Sequence, residues 1–312
     1  GVYYQKYYYS FISLLNNNNE KVFYISSDKK DTIELKNVTN VYVGEGILRT
    51  LFFLFVKTTN FFLTVTDLEN NILKKNSNVK NYIYVFHAAI SIHKSYTKSA
   101  FNNYDTILCI GDYHVKEILE QEKIYNLPKK KLIKAGYFYF DYLLSKASFD
   151  THGNKILIAP SWNYSKKNFL NNQCEDLIEY LINKKFDIIF RPHPEHYKRS
   201  SLILDKIRHK FNSFNNFQFD NSIDNYKSMD NSHTLITDNS GISIEFLIVF
   251  KKPVIFFDKF SKIHNPEYNF LSSDIFEENF KNKFGFRYSK DKLINFDNEI
   301  KKAQLEFNLK KI

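Results

Sequence analysis

The chain has 312 residues, of which 43% are hydrophobic, so it is long enough for two globular domains and too apolar to be disordered. Its two cysteines exclude a disulfide framework and a cysteine-based zinc site, a usage typical of a reducing cytoplasm. The net charge of +10 favours a polyanionic partner, and because no nucleic-acid-binding motif accompanies it, an anionic membrane surface or a phosphorylated substrate is expected.

The first half of the chain alternates short β-rich runs with amphipathic runs of helical length. This pattern is typical of βαβ units in a parallel sheet. Strands are predicted at residues 21–25, 41–43, 61–65, 82–86 and 106–110, and a helix at 113–122. The Tyr-rich stretch after Gly1 resembles a helix and not a signal peptide.

The most hydrophobic window covers residues 47–65. Arg49, Lys57 and the polar residues 58–60 interrupt it, so each apolar piece is too short to span a bilayer. The window predicts a buried helix followed by a buried strand.

The second half repeats the alternation. Strands are predicted at residues 155–159, 186–191, 217–219, 234–237 and 253–256, and helices at 174–183, 201–211 and 242–250. A polar, non-periodic linker at 145–154 divides the chain into two Rossmann-like domains, residues 1–148 and residues 149–312, the second with C-terminal helices. Parallel sheets joined in this way predict a cleft between their carboxyl ends, where ligands bind in such folds.

The segment 235–246 is the most informative one. An apolar strand ends at Asp238, and Ser240 and Gly241 begin a helix whose first amide groups favour a phosphate. Glu245 lies one turn further along the same face, where a carboxylate accepts hydrogen bonds from ribose hydroxyls. The alternative is an ordinary serine N-cap with a surface glutamate.

A second motif covers residues 188–194, where a buried strand ends in Arg191 and two prolines frame His193. The prolines make the backbone rigid, the arginine fork suits a phosphate, and the imidazole donates to a phosphoryl oxygen or moves a proton. A structural strand-end histidine is the alternative.

The third and fourth motifs are also strand ends. His87 ends the run 84–87 and is followed by two alanines, which makes it a candidate base for an acceptor hydroxyl, in competition with the nearby His93. Ser161 and Trp162 follow the apolar run 156–159, and the tryptophan covers a nucleotide base or packs on the linker.

Together these motifs resemble those of the CDP-glycerol glycerophosphotransferase family, the polymerases and primases of teichoic acid and related capsules. The segments that carry the resemblance are Phe86–His87–Ala88 for Trp-His-Gly, 136–141 for Gly-Tyr-Pro-Arg-Phe-Asp, 159–162 for Ala-Pro-Thr-Trp, 191–194 for Arg-x-His-Pro, 238–241 for Asp-Tyr-Ser-Ser and 252–256 for Arg/Lys-Pro-Val-Ile-Phe. This chain differs in having Phe86 and Ala88 in the first motif, Phe138–Tyr139 in place of Pro-Arg in the second, and Glu245 where the family has Asp.

The resemblance implies an α/β, GT-B-like fold with two Rossmann-like domains whose parallel sheets face a central cleft. It implies that residues 1–148 form the acceptor-side domain and residues 149–312 the nucleotide-donor-binding domain, that His87 is the catalytic base, and that Arg191, His193, Ser240 and Gly241 hold the donor pyrophosphate. With the residue patterns above, the candidate catalytic residues are His87 and His193, and the candidate donor-binding residues are Arg191, Asp238, Ser240, Gly241, Glu245, Ser161 and Trp162.

The implied activity is transfer of a glycerol-phosphate-like or sugar unit from a CDP- or CMP-type activated donor to a cell-surface polymer or lipid-linked acceptor. Two alternatives stay open: a Kdo- or sialyl-type glycosyltransferase of capsule or lipooligosaccharide synthesis, and a UDP-sugar 2-epimerase-like enzyme. In a third class, a non-catalytic nucleotide-sugar-binding protein, His87 would be dispensable. We expect no cofactor, no metal and no nucleic-acid partner, and a peripheral location at the cytoplasmic face of the plasma membrane.

Overall fold

The structure is a computed structural model that describes residues 2–69, 73–148, 153–260, 262–271, 275–290 and 292–307, with Val2 described in its backbone alone. The chain divides into two compact units. The first contains Gly1–Ser145 and Ile263–Ile275, and the second Lys146–Lys262 and Phe276–Ile312. The segment Ile263–Ile275 thus returns to the first unit, which the domain prediction (1–148 and 149–312) did not include.

The first unit is built around parallel strands. Its elements, in chain order, are α1 (Val2–Asn17), β1 (Val22–Ser26), β2 (Val38–Tyr42), α2 (Ile47–Phe55), β3 (Thr58–Leu63), β4 (Val79–Val85), α3 (Ile92–Ser95), β5 (Thr106–Cys109), α4 (Asp112–Ile124), β6 (Lys131–Lys134) and α5 (Phe138–Lys146). Among the described residues, β1 and β2 form a pair, and β3-β4-β5-β6 form a sheet in sequence order. A short 3₁₀ helix, Tyr268–Phe270, lies in the returning segment.

The second unit contains a doubly wound sheet. Its elements are β7 (Lys155–Ile158), α6 (Phe169–Asn172), α7 (Cys174–Asn183), β8 (Ile188–Phe190), α8 (Pro194–Arg199), α9 (Ser201–Phe211), β9 (Phe217–Phe219), α10 (Tyr226–Asp230), β10 (Ser232–Thr237), α11 (Ile242–Val249), β11 (Val254–Phe257), α12 (Phe276–Phe284), β12 (Phe286–Tyr288) and α13 (Phe296–Phe307). In the described part of this unit the strand order is β12-β11-β10-β7-β8-β9, all parallel. The winding reverses between β7 and β10, and the carboxyl ends of these two strands flank the crevice where such folds bind ligands.

Each unit has an apolar core that follows from the sequence period. In the second unit, α7 buries Leu177, Ile178, Leu181 and Ile182, which recur on one face of a helix and pack against the strands. In the first unit the core is rich in aromatic residues, with Tyr84 fully buried near the carboxyl end of β4. The predicted α/β class with parallel sheets is confirmed.

The structure corrects the expectation of burial in the window 47–65. The predicted strand is present as β3, but Phe61 is its one buried residue, and the preceding helix α2 contains none. Phe53 and Val56 pack half-buried against the core of the first unit, while the opposite side of α2 is exposed. A hydrophobic run identifies a helix but does not show how many of its faces find partners.

Strands β6 and β12 were not predicted, because their charged residues lack the apolar run that marks a buried strand. Residues 149–152 of the predicted linker lie outside the described residues.

Candidate active site

A buried hydrogen-bonded pair lies at the reversal point of the second sheet. Ser161 follows β7 and Asp238 follows β10, and each is 1% exposed. The Ser161 amide N–H and hydroxyl donate to the two carboxylate oxygens of Asp238, at 2.7 and 2.8 Å. Asp238 therefore ties the two strand-end loops together, and the loops frame the crevice between β7 and β10.

His196 extends this network and was missed by the sequence analysis. It is fully buried in α8, its Nε2 lies 3.1 Å from the Ser161 carbonyl oxygen, and its Nδ1 lies 3.4 Å from the Ser200 hydroxyl. Burial lowers the pKa of His196 below its ordinary value, although the hydrogen bond to the Ser161 carbonyl oxygen acts to raise it. His196 follows His193 by three residues, and this spacing places both residues on the same side of a helix. The spacing could therefore have identified His196 from the sequence.

Arg191 is engaged within the second unit. Its Nη1 donates to Asp220 and to the Ser222 hydroxyl, and its Nη2 donates to the Ser222 carbonyl oxygen at 2.8 Å. Burial acts to raise the pKa of Asp220, but Arg191 and hydrogen bonds from Ser222 and Ser228 hold it below its ordinary value. The guanidinium fork thus fixes the loop after β9, and its predicted contact with the donor stays a prediction.

His193 caps helix α8. Because Pro194 follows it, the backbone of His193 is extended, at φ −62° and ψ 143°, and Pro194 occupies the first helical position. Its Nδ1 accepts the Glu195 amide hydrogen at 3.2 Å. In the neutral ring the proton is then on Nε2, which makes this half-buried side chain a hydrogen-bond donor.

Helix α11 begins at the carboxyl end of β10, at the same crevice. Its N-cap is Gly241, which has no side chain to cap the helix. The Ser243 amide donates to the Ser240 carbonyl oxygen, and the Ile244 amide donates to the Gly241 carbonyl oxygen. Ser240 and Gly241 are half-buried, and the small side chains at this end leave the helix terminus open to an anion. Glu245 is 4% exposed, so the alternative of a surface glutamate is wrong.

Trp162 packs against α8. Its ring is 5.3 Å from the His196 ring, and the Arg199 guanidinium lies 5.6 Å from its centroid. The indole is half-buried and follows Ser161 directly, which holds it beside the loops at the crevice.

Lys262 was not identified from the sequence. Burial lowers its pKa, while the carboxylates of Asp238 and Glu277 act in the opposite direction. Nothing in the local sequence distinguishes Lys262 from the many surface lysines.

The first unit presents His87 at the end of β4. The Thr64 hydroxyl, at the end of the neighbouring strand β3, lies 2.7 Å from His87 Nδ1. When Nδ1–H donates to Thr64, Nε2 is unprotonated and can accept a proton. Thr64 was missed in the sequence because it was included in a predicted strand, although it is a polar residue at a strand end.

The loop that carries His87 is held from several sides. The Tyr137 hydroxyl donates to the His87 carbonyl oxygen at 3.0 Å, which joins two segments that resembled family motifs. Tyr137 follows Gly136, whose φ of +79° would be strained in a residue with a β-carbon, so glycine is favoured at this position. Further along the loop, His114 Nε2 lies 2.9 Å from the Ile90 carbonyl oxygen, and burial lowers the pKa of His114 to about 4.

Helix α1 brings aromatic rings to His87. The rings of Tyr4 and Tyr7 lie edge-on to the imidazole, at 5.3 and 6.1 Å, and Tyr7 also contacts Tyr139 at 4.7 Å. Tyr4 and Tyr7 are three residues apart, which places them on one side of the helix. The Tyr-rich composition of this stretch does not by itself indicate a functional role.

The structure separates His93 from His87. His93 is 1% exposed, and its Nε2 lies 3.3 Å from the Glu117 carbonyl oxygen. The Glu117 carboxylate accepts from the Ser91 hydroxyl and from the amide of Ile92, so this carboxylate caps α3. His93 is therefore packed beneath the loop, while His87 is half-buried at its edge.

The described residues contain no group of three or more His, Cys, Asp or Glu side chains placed to hold a metal ion. None of their helices is both long and apolar enough to cross a membrane.

The profile of a family described as CDP-Glycerol:Poly(glycerophosphate) glycerophosphotransferase matches residues 6–262 of the chain. This range contains every residue that was predicted for the site. Among curated protein sequences, none matches the chain significantly.

Solved structures with the same fold include the wall teichoic acid polymerase TagF, with a TM-score of 0.63 and 15% identity over 97% of this chain and 78% of that one. The UDP-GlcNAc 2-epimerase of Methanocaldococcus jannaschii, in complex with UDP-GlcNAc and UDP, has a TM-score of 0.58 and 13% identity over 100% and 90% of the two chains. The Neisseria meningitidis UDP-GlcNAc 2-epimerase has a TM-score of 0.59 and 10% identity over 99% and 91%. At these identities the likenesses concern the fold, and the predicted GT-B-like fold is confirmed.

Proposed function

Because the chain belongs to the CDP-glycerol:poly(glycerophosphate) glycerophosphotransferase family, and is therefore a transferase, we propose that it moves a glycerol-phosphate-like unit from a CDP-type donor to a cell-surface polymer or lipid-linked acceptor. The position of α11 is the main support for the donor-binding part of this proposal. Its N-terminus lies at the reversal point of a doubly wound sheet, beside the Ser161–Asp238 pair.

The donor site that we propose uses the α11 terminus and His193. The amides at Gly241 and the start of α11 bind the pyrophosphate, because the helix dipole favours negative charge there. His193 donates Nε2–H to a phosphoryl oxygen. Asp238 and Arg191 act on the donor by shaping the loops around it, Glu245 accepts from the ribose hydroxyls, and Trp162 covers the base.

His87 is the proposed general base. It takes the proton of an acceptor hydroxyl at Nε2 while Nδ1–H is held by Thr64. The hydroxyl oxygen then forms a bond to the phosphorus of the glycerol phosphate, the bond from that phosphorus to the oxygen of CMP breaks, and the CMP phosphate leaves with its negative charge. His193 is the second catalytic residue of the proposal, because it contacts the phosphates whose charge changes in this step.

We place the reaction at the cytoplasmic face of the membrane, with the protein bound peripherally. The net charge of +10 favours an anionic surface, and both cysteines, Cys109 and Cys174, are free and buried. The polymer belongs to the teichoic acid or capsule class, and nucleic acid is not a partner in this proposal.

The alternative readings differ in the donor. A Kdo- or sialyl-type transferase would bind a CMP-sugar, and a UDP-sugar 2-epimerase would bind UDP-GlcNAc. The family match favours the glycerol-phosphate reading, while the likeness to the two epimerases concerns the fold and carries no reaction.

A thermal-shift comparison tests the proposal. We expect CDP-glycerol to raise the melting temperature more than CDP-ribitol, CMP-Kdo and UDP-GlcNAc, and CMP to be released when a glycerol-phosphate oligomer is added. Selective stabilisation by UDP-GlcNAc, with formation of its 2-epimer, would replace the proposed function with the epimerase.

A further inference from the structure

The side chain of Lys281 is buried within the second unit. It lies in the last turn of α12 and is 3% exposed. An ammonium group that has lost its water needs hydrogen-bond acceptors in the protein, because an unpaired buried charge is costly. The acceptors around Lys281 therefore show what this residue holds in place.

The Lys281 ammonium group joins α12 to two strand-end loops. Its Nζ donates to the Asn239 side-chain oxygen Oδ1 and lies 3.5 Å from Oδ1 of Asp258. Glu278, on the preceding turn of α12, lies 3.8 Å from the same nitrogen. Asn239 follows β10 and Asp258 follows β11, the neighbouring strand of the sheet. One cation thus fastens the carboxyl ends of two adjacent strands.

Asn239 is held from its other side as well. Its Nδ2 donates to the Phe260 carbonyl oxygen at 2.6 Å. The carboxamide is therefore fixed at both ends, and the backbone that carries it leads directly into Ser240 and Gly241 at the start of α11. In the segment 238–241, Asn239 stands where the family motif has tyrosine, which offers one hydroxyl instead of separate acceptor and donor atoms. The contact to Lys281 thus depends on a residue that departs from the motif.

Close packing at the end of α12 brings Lys281 to this position. Gly285 follows the helix, and a β-carbon there would overlap the Phe256 ring of β11 and the Lys281 carbonyl oxygen. The Lys281 nitrogen lies 5.3 Å from the centre of the same ring. A glycine at this position therefore lets the end of the helix lie directly on the strand.

We propose that Lys281 is a positioning residue of the donor site. By holding Asn239 it fixes the loop that directs the first amides of α11 toward the donor pyrophosphate. Its ammonium group is occupied by protein acceptors, so Lys281 acts through the loop and not on the phosphate itself. The inference rests on the proposed function and deepens it, because it adds a residue from beyond residues 6–262, the range of the family match.

Calorimetry with CDP-glycerol tests this role in Lys281→Met, which keeps most of the side-chain length and removes the charge. We expect donor affinity to fall about tenfold or more, the scale of one charge-assisted hydrogen bond, while the KM for the acceptor stays unchanged. Asn239→Ala should cause a similar loss. The double variant should bind about as weakly as Asn239→Ala alone, because both changes remove the same contact.

Three further variants separate positioning from charge and from stability. Lys283→Met removes an exposed lysine from the same helix and should leave donor affinity unchanged. Arg287→Gln removes the cation that pairs with Asp258 and Glu278, so it should lower the melting temperature without changing donor affinity. Lys281→Arg keeps the charge and should restore part of the lost affinity.

Hydrogen exchange without nucleotide follows the loop directly. The amides of residues 239–244 should exchange faster in Lys281→Met than in Lys283→Met or Arg287→Gln. A Lys281→Met protein that is less stable, yet binds the donor fully and exchanges like the controls, would make Lys281 a purely structural residue and overturn the proposal. If Lys281→Met does not fold, Asn239→Ala decides, and full donor affinity in that variant overturns the proposal as well.

The choice of nucleotide separates this role from the proposed transfer. If the unmodified protein binds UDP-GlcNAc or CMP-Kdo and not CDP-glycerol, the proposed function fails, and the positioning role stands when Lys281→Met weakens that binding. If it binds CDP-glycerol and every variant binds equally well, the proposed function stands and the positioning role fails. An unmodified protein that binds none of these nucleotides refutes both.

Discussion

The hydroxyl of Thr64 lies 2.7 Å from Nδ1 of His87, and the two residues follow the neighbouring parallel strands β3 and β4. Because the carboxyl ends of parallel strands meet at one edge, the sheet itself aligns the hydroxyl with the ring. This contact holds the imidazole at Nδ1 and leaves Nε2 for the proton transfer that we propose.

The first prediction concerns His87. Replacing it with Ala should lower turnover by roughly 10²–10⁴-fold and leave the affinity for the donor nucleotide nearly unchanged, since a base acts on the acceptor. Turnover, donor affinity by calorimetry and melting temperature are measured together. Full turnover by folded His87→Ala protein would end the assignment. If the melting temperature falls and activity is lost only in proportion to the loss of folded protein, His87 is a structural histidine.

Thr64 gives the second prediction, as a positioning residue. Thr64→Val removes the hydroxyl with little change in shape, so the ring loses its fixed orientation and tautomer. We expect kcat to fall about five- to tenfold, the equivalent of one hydrogen bond of about 1 kcal/mol, with donor affinity unchanged. Thr64→Ser should restore the rate and the pH profile. A valine variant with an unaltered kcat and pH profile would exclude this role.

The third prediction contrasts Arg191 with His193. The side chains of Arg191 and Asp220 are 11% and 8% exposed, so Arg191→Ala leaves a buried carboxylate unpaired and should lower the free energy of unfolding by about 3–5 kcal/mol. Lys198→Ala, which removes an exposed cation from α8, is the control and should have little effect. His193→Ala should instead weaken donor binding.

The His193 result needs its own control because the ring caps α8. His193→Asn keeps a capping side chain and removes the Nε2–H donor, so it should fold well and still bind the donor weakly. Recovery of donor affinity in the asparagine variant would assign His193 to the helix cap alone. Denaturation curves and calorimetry separate the two effects.

Glu245 provides the fourth prediction. Glu245→Gln should weaken nucleotide binding by about 1–3 kcal/mol if the buried carboxylate accepts from the ribose hydroxyls. Glu117→Gln, in the other unit, alters an equally buried carboxylate that caps α3, and should lower the melting temperature without changing nucleotide affinity. Unchanged affinity in Glu245→Gln protein would reject the ribose contact.

The fifth prediction is a loss of stability in mild acid. Burial lowers the pKa of His114 to about 4, and lowers the pKa of His93, His196 and His233 as well. Below about pH 6.5 the unfolded chain binds protons that the folded chain does not, so stability is complete above that pH and falls as the pH approaches 4. Urea denaturation between neutral pH and pH 5 measures it, and His114→Gln should flatten the slope. Equal stability across this range would contradict the prediction.

The local sequence determined the strands that end at the candidate site. The apolar runs before Asp238, Arg191 and His87 form β10, β8 and β4 because alternation and turn residues act over short distances. The resemblance of segments such as 191–194 and 238–241 indicated the family, which the match over residues 6–262 shows.

Only the tertiary structure decided which partners these residues have. Asp238 meets Ser161, 77 residues earlier in the chain, and Arg191 meets Asp220, since strand order places their loops side by side. In the same way, the sequence identified α2 as an apolar helix, but its exposure depends on what packs against it. Hydrophobicity is a property of residues, whereas burial belongs to the arrangement of elements that are distant in the chain, and no local pattern records it.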